Sequence, residues 1–284
     1  MPGARLPPVA LVLGGVTSIQ FGAALAATLF SRAGPAGTAF LRVGFAAAIL
    51  MALTRPRPRD YAPAQLRLAA LLGLALGGMN LCFYEALDRI PLGPAVTIEF
   101  IGPLAVAVAA SRRALDLLWV ALAAGGIALL SGGLHGAHSA TGIVFAALAG
   151  CLWALYIVVN ARAAAAFRGA SGLALAMTVG ALAVAGPGVA DGMGSLLSPG
   201  LLALGIAVAL LGSVIPYSLE TQALRRLRAG PFSVLMSLEP AVAALAGLVV
   251  LSQHLTATQL AAIALVVLAS AGASRTGPPP PVEA

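Results

Sequence analysis

The sequence predicts an all-α membrane protein with ten transmembrane helices, arranged as two inverted five-helix repeats. The chain is 60% hydrophobic and only 9% charged, whereas a soluble domain carries about 25% charged residues. Apolar stretches close to the ~20 residues that a spanning helix needs follow one another along the chain. A motif of the first half also returns in the second half at a constant spacing, so that Gly93 aligns with Gly230 and Pro94 with Pro231.

Ten apolar stretches supply the predicted helices in order. The connections between them are short and rich in Gly, Pro and Arg, so no soluble domain fits between two spans. Five helices per repeat is an odd number, so the second repeat would cross the bilayer upside down relative to the first, as in alternating-access carriers. We divide the chain into a first repeat (1–134), a second repeat (135–274) and a disordered cytoplasmic tail (275–284). The predicted spans are 9–30, 36–53, 66–87, 92–110, 115–131, 141–160, 170–189, 199–222, 232–251 and 257–273.

The first span also has features of a signal peptide. Arg5 precedes it, and Ala24-Leu25-Ala26 resembles a cleavage site. The span is long for a signal peptide, contains the polar residues Thr17, Ser18 and Gln20, and has a counterpart in the second half. We therefore favour a transmembrane helix.

The distribution of arginine predicts the orientation. All 16 basic residues are arginine, and positive residues concentrate on the cytoplasmic side of membrane proteins. With the N-terminus inside, thirteen arginines fall on inside segments and two, Arg32 and Arg89, fall outside. Both termini are therefore predicted to be cytoplasmic, and the net charge of +7 reflects topology rather than nucleic-acid binding. Arg42 lies within the second span, where we favour a salt bridge or a snorkelling structural role over substrate contact.

The fourth span contains two features that a lipid-filling helix would not need. Glu99 lies near its middle, where a charge costs roughly 2.5–3.5 kcal/mol, and Gly102-Pro103 follows one turn later. A proline removes a backbone donor and interrupts the helix. In the alignment of the two halves Pro103 falls on Pro240, which follows Glu239. Discontinuous helices at matching positions of two repeats indicate the substrate site of a transporter, so Gly102, Pro103 and Pro240 are predicted helix breaks.

Glu99 and Glu239 are the predicted proton-coupling residues. Low dielectric disfavours the charged form of a carboxylate, so an acid at this depth can exchange protons near neutral pH. An amine-binding role would use the same carboxylates. The alternative for Glu99 is a buried acid satisfied by a neighbouring hydroxyl or a freed backbone amide. For Glu239, directly before proline, the alternative is capping of the broken backbone.

Other polar residues at membrane depth are predicted to bind substrate. Asn80 and Tyr84 lie four positions apart and share one helix face, and Tyr217 aligns with Asn80 when the two halves are superposed in the same register. Glu85 lies nearer the interface, where we favour a snorkelling acid. The predicted substrate-binding set is Gln20, Asn80, Tyr84, Trp153, Tyr156 and Tyr217.

The remaining motifs argue against cofactors and catalysis. Cys82 and Cys151 lie in apolar spans, so we favour packing over a disulfide. His135-x-x-His138 has no acid or cysteine nearby, so no metal site is predicted. No nucleophile motif, P-loop or dinucleotide fingerprint is present. Gly73 and Gly77 form a small-residue element that would allow close helix packing within the fold.

These residues together resemble the EamA-type branch of the drug/metabolite transporter superfamily, and within it the bacterial threonine and homoserine exporters. The resemblance implies ten helices in two inverted repeats and efflux of small amino acids or related metabolites, driven by the proton gradient. Phe21 departs from the small residue expected there in that exporter group. The stretches that carry the resemblance are 18–20, 76–80, 91–93, 99–106, 111–113, 216–220 and 236–241.

We therefore predict a secondary active transporter in a bacterial inner membrane that exports threonine, homoserine or similar small zwitterions by proton antiport. Its expected partners are the small-molecule substrate, protons and the lipid bilayer, and the oligomeric state is left open. A multidrug or nucleoside exporter would favour an aromatic-rich cavity, against which the 5% aromatic content argues. A polytopic membrane enzyme would need polar residues clustered at one membrane face. A non-transporting membrane partner would have no use for paired acids at the midplane.

Overall fold

The computed structural model describes residues 7–109, 114–132, 137–167, 169–192, 194–224 and 229–276. Within these residues the chain is helical and contains no β-strand. A 3-10 turn, Pro58–Asp60, precedes α3, and a π-helical turn, Leu210–Val214, joins α9 to α10. The helices are α1 (Pro8–Ala27), α2 (Phe30–Thr54), α3 (Pro63–Leu87), α4 (Leu92–Glu99), α5 (Ile101–Ala109), α6 (Ala114–Gly132), α7 (Ala137–Ala166), α8 (Ser171–Asp191), α9 (Pro199–Ala209), α10 (Ile215–Leu224), α11 (Ala229–Met236), α12 (Glu239–Leu251) and α13 (Ala257–Thr276).

The composition of these helices is that of a membrane protein. In the described part of the chain, six helical stretches are long and apolar enough to cross a bilayer, and four shorter apolar stretches accompany them. Large apolar side chains stand on the outer surface, for example Leu182 at 71% and Val249 at 63% exposure. Such a surface is unfavourable in water and matches a lipid environment. Each of the ten predicted spans overlaps one of these ten apolar stretches.

Several sequence predictions fall outside the described residues. They include residues 277–284 of the predicted tail, because α13 continues only to Thr276 in the described part. His135 is also outside. So are seven of the arginines used to predict the orientation, namely Arg5, Arg112, Arg113, Arg168, Arg225, Arg226 and Arg228.

Three helix interruptions follow from proline chemistry. A proline has no N–H for the carbonyl four residues earlier, so the helix tends to open at that carbonyl. Pro103 stands four residues after Glu99, where α4 ends, and Pro240 stands four residues after Met236, where α11 ends. Pro216 stands four residues after Gly212, inside the π-helical turn.

The two short half-helices α4 and α11 have matching bounds. Each is eight residues long. The alignment that places Pro103 on Pro240 also places the first residue of α4, Leu92, on the first residue of α11, Ala229. It places their last residues on each other as well. The motif therefore folds in the same way twice.

Helices from the two halves of the chain pack against each other throughout. α3 packs on α7 and α8, while α1 packs on α10 and α12 and α2 packs on α9. α2 also packs along α8, α4 along α12 and α6 along α13. Gly73 and Gly77 of α3 lie against the backbone of α8 at Ala176 and Gly180, so the small-residue element serves packing within the fold as predicted.

Candidate functional site

A cavity of about 120 Å³ lies where the interrupted helices meet α1, α2, α3 and α7. Its volume is well above the ~10–15 Å³ that a single water molecule requires. Its wall combines two carboxylates, one guanidinium, two amides and two aromatic groups with polar atoms, set among apolar side chains. The lining residues are Ile19, Gln20, Ala23, Arg42, Met79, Asn80, Phe83, Glu99, Trp153, Tyr156, Met236 and Glu239.

The break between α4 and α5 places Glu99 on this cavity. Glu99 is the last residue of α4 and is 7% exposed. Gly102, one turn later, has no room for a side chain because the backbone of Gly150 in α7 lies against it. Phe100, at the break itself, packs edge-on against Trp153, with ring centres 5.4 Å apart. This close contact between the break and α7 holds Glu99 and Trp153 beside the same space.

The break between α11 and α12 places Glu239 on the cavity from the other half. Glu239 is the first residue of α12 and is 4% exposed. Its Oε2 accepts a hydrogen bond from Gln20 Nε2 at 3.4 Å. Gln20 Oε1 is buried and has no hydrogen-bond partner among the described residues. Because buried acceptors are nearly always satisfied, this oxygen indicates a place for a donor that enters the cavity.

Arg42 lies in the same wall and is held by several hydrogen bonds. It is 4% exposed, and its Nη2 donates to the carbonyl of Gly212 at 2.6 Å. Nη1 donates to the Tyr84 hydroxyl at 3.2 Å and Nε to Ser213 Oγ at 3.4 Å. The Gly212 carbonyl is available because Pro216 offers it no N–H. The snorkelling interpretation of Arg42 is therefore wrong: α2 packs into the protein at this point, and the guanidinium lies inside rather than at a membrane surface.

The structure brings most of the predicted site residues together. Gln20, Asn80, Trp153 and Tyr156 line the cavity with Glu99 and Glu239. Tyr84 does not line it. Its side chain is fully buried, and the hydroxyl contacts Arg42 instead. Tyr217 belongs to α10, but its side chain lies outside the described part of the structure.

The sequence reasoning missed Arg42 as part of this wall, and it missed the π-helical turn that holds Arg42. A signal for both was present, because a buried charge at membrane depth marks a functional position by default. Counting back four residues from Pro216 also identifies Gly212 as a carbonyl that lacks its helical donor. The apolar residues Ile19, Ala23, Met79, Phe83 and Met236 had no signal, since nothing distinguishes them from core residues.

Two other predicted features have ordinary structural roles. Glu85 forms an ion pair with Arg89, with Oε2 and Nη1 2.6 Å apart, near the end of α3. Cys82 and Cys151 are both free, and Cys151 is exposed rather than packed. Within the described residues, no cluster of His, Cys, Asp and Glu has the composition of a metal site.

Comparison with protein families finds a match to the EamA-like transporter family over residues 140–275. The chain is also 40% identical to the threonine/homoserine exporter RhtA of Salmonella typhimurium (strain SL1344), covering 97% of this chain and 96% of that protein. The threonine/homoserine exporter RhtA of Escherichia coli (strain K12) gives the same identity and coverage. These matches confirm the resemblance predicted from the motifs.

One solved structure, described only as the crystal structure of a protein, has a similar fold. It superposes with a TM-score of 0.62 at 19% identity, covering 93% of this chain and 97% of the other. At this identity the likeness concerns the fold alone. The arrangement of helices described above is thus shared with a protein of distant sequence.

Proposed function

The chain belongs to the EamA-like transporter family, and from that premise we propose that it exports small amino acids such as threonine and homoserine by proton antiport. It is a transporter and not an enzyme, as the family and the exporters among its relatives establish. One observation carries the proposal about the site: two interrupted helices, one from each half, present Glu99 and Glu239 to one buried cavity.

The proposed architecture is ten spans in two inverted repeats, with the boundaries 1–134 and 135–274. The matching bounds of α4 and α11 support it. The packing of the helices supports it as well. When each helix is replaced by its counterpart in the other repeat, pairs of packed helices map onto other pairs that are also packed. The pairing of α3 with α7 corresponds to that of α1 with α10, and the pairing of α5 with α7 corresponds to that of α1 with α12. Such pseudo-symmetric halves are what alternating access requires.

We assign the two acids different roles in the cycle. Glu239, which Gln20 contacts, would receive the ammonium of the substrate together with Gln20 Oε1, which has no hydrogen-bond partner within the described part of the chain. Glu99, the other carboxylate on the cavity wall, would take up and release the coupling proton. Asn80, Trp153 and Tyr156 would shape the remaining wall, and Tyr217 stays a proposed substrate-binding residue on sequence grounds.

Direction and location belong to the same proposal. We place the protein in a bacterial inner membrane with both termini cytoplasmic, because this arrangement puts thirteen of the sixteen arginines inside. The substrate would then enter the cavity from the cytoplasm and leave on the opposite side. A proton moving inward down its gradient would drive each export step.

Transport in proteoliposomes tests the function. Wild-type protein in liposomes loaded with labelled threonine should release it faster when a pH gradient is imposed. We expect Glu99→Gln to lose the gradient-driven part while retaining passive exchange, because the amide cannot carry a proton. Glu85→Gln is the matched control, since its carboxylate is paired with Arg89 at the end of α3 and does not line the cavity. Equal acceleration of wild type and Glu99→Gln by the gradient would refute the proton role.

A further inference from the structure

We propose that Arg42 binds the carboxylate of the transported amino acid, so that a free α-carboxylate is a requirement for transport. The inference rests on the proposed function and names the side chain that would bind the carboxylate end of the substrate. Arg42 lines the same cavity as Glu99 and Glu239. A cavity wall that carries both signs of charge suits a zwitterion, which has one group for each.

The guanidinium is fixed in place before any substrate arrives. The groups that hold it include the Gly212 carbonyl and Ser213 hydroxyl of the π-helical turn, and the Tyr84 hydroxyl of α3. The Tyr84 ring also lies near it, with the guanidinium carbon 5.6 Å from the ring centre. These contacts involve all three guanidinium nitrogens. A planar fork held in this way is pre-organised to bind a carboxylate in bidentate fashion.

The π-helical turn is shaped around this side chain. A Cβ at Gly212 would lie 3.0 Å from both Cζ and Nε of Arg42, so the guanidinium packs flat on a residue that has no side chain. Gly22 of α1 lies equally close to the same turn, where a Cβ would be 2.9 Å from the Gly212 nitrogen. The Ser18 hydroxyl of α1 donates to the carbonyl of Leu211 at 2.8 Å. The turn is thus fastened to α1 and α2, and it keeps the guanidinium at the cavity wall.

Charge balance in the cavity favours a zwitterion oriented in one way. A buried cation is stabilised when opposite charge lies near it. Glu99 and Glu239 line the same cavity, and the substrate carboxylate would add a further negative charge when it binds. The substrate carboxylate would then bind to Arg42, and the substrate ammonium would bind to Gln20 and Glu239.

A substrate series separates this role from a structural one. In proteoliposomes preloaded with threonine, unlabelled L-threonine and L-threoninamide would compete for exchange of labelled threonine. The amide keeps the ammonium and the side chain but lacks the negative charge. For wild type we expect threonine to compete about 10- to 100-fold better than the amide, the range for loss of a charge-assisted hydrogen bond. In Arg42→Lys, which keeps the charge but loses the fork, this preference should fall towards equality.

Two further variants keep the test decisive. Arg89→Lys changes an arginine that does not line the cavity, and it should preserve the preference of wild type. Tyr84→Phe removes one hydroxyl that holds Arg42, and it should weaken competition by threonine but not by the amide.

If Arg42→Lys does not fold, Tyr84→Phe alone carries the test, and an unchanged preference for threonine over the amide in Tyr84→Phe overturns the inference. An unchanged preference in a folded Arg42→Lys overturns it as well. Wild type that exchanges no amino acid at all would instead refute the proposed function.

Discussion

Some single residues mark the site because they bury a polar atom that contacts within the protein do not satisfy. Gln20 is the clearest, because one end of its amide contacts Glu239 while the other end has no partner among the described residues. A buried polar atom without a partner lowers stability. Because Gln20 lines the cavity, a donor group of a bound substrate would supply the missing hydrogen bond.

This interpretation predicts that Gln20→Met separates stability from transport. Methionine has a similar volume and removes the unsatisfied acceptor, but it also removes the donor to Glu239 Oε2, so the two effects oppose each other and the melting temperature in detergent should change little. The apparent affinity for threonine should fall roughly 2- to 10-fold, the usual effect of one lost hydrogen bond. Thermal unfolding and exchange in proteoliposomes measure the two quantities. Gln222→Met, at an exposed position of α10, is the control and should leave affinity unchanged. An affinity equal to wild type in Gln20→Met would contradict a substrate role for this amide.

The sequence alone could predict part of this site. The carboxylates Glu99 and Glu239 were identified by their depth, because charge in a lipid-spanning segment is rare. Tyr84 was predicted to bind substrate for its position one turn from Asn80. Its hydroxyl contacts Arg42 instead, since the contact depends on how α2 packs on α3, and spacing along one helix carries no information about a neighbouring helix.

Among the helices, prolines decide where the chain opens. The carbonyls of Glu99, Gly212 and Met236 all lie four residues before a proline, and each coincides with the end of a half-helix or with the π-helical turn. The break positions are therefore derivable from the sequence. The partner of a freed carbonyl is not, as Gly212 and its contact with Arg42 show.

Restoring a backbone N–H at position 103 should close the break between α4 and α5. In Pro103→Ala the new N–H can pair with the Glu99 carbonyl, so α4 and α5 should join into a more regular helix. We expect the free energy of unfolding to rise by up to about 3 kcal/mol, the cost of a proline inside a helix. Exchange should become slower, because the interruption that orients Glu99 is lost. Melting temperature and exchange rate measure the two effects.

Pro187 provides the comparison for Pro103→Ala. It lies inside α8, which continues through it as one helix to Asp191. Pro187→Ala should therefore raise stability in the same direction without slowing exchange. If both alanine variants slowed exchange equally, the effect would come from helix stiffness in general and not from the break beside Glu99.

Across the whole molecule, side chains of the second half cap two helix N-termini of the first half. The carboxylate of Asp191, the last residue of α8, accepts a hydrogen bond at 3.0 Å from the Ala36 N–H, where α2 begins again after a kink at Gly34. Gln253 Oε1, after α12, accepts one from the Leu92 N–H at the start of α4, at 2.9 Å. Both contacts tie the two halves of the chain together. Sequence could not reveal these pairs, because their members lie far apart along the chain.

Alternating access requires the halves to separate at each end in turn, so these caps should govern opening at the end that carries Asp191. Losing a helix cap costs about 0.5–2 kcal/mol, so Asp191→Ala should raise the population open at that end roughly 2- to 30-fold.

A cysteine in place of Ala23, on the cavity wall, would report this opening. Its labelling rate with a membrane-impermeant maleimide would be measured in a background without Cys82 and Cys151. Gln65→Ala is the control: its amide donates to the Ala166 carbonyl between α3 and α7, near the opposite end, and should not speed labelling from the Asp191 side. Labelling that is no faster in Asp191→Ala than in the parent would mean that the cap does not hold this end closed.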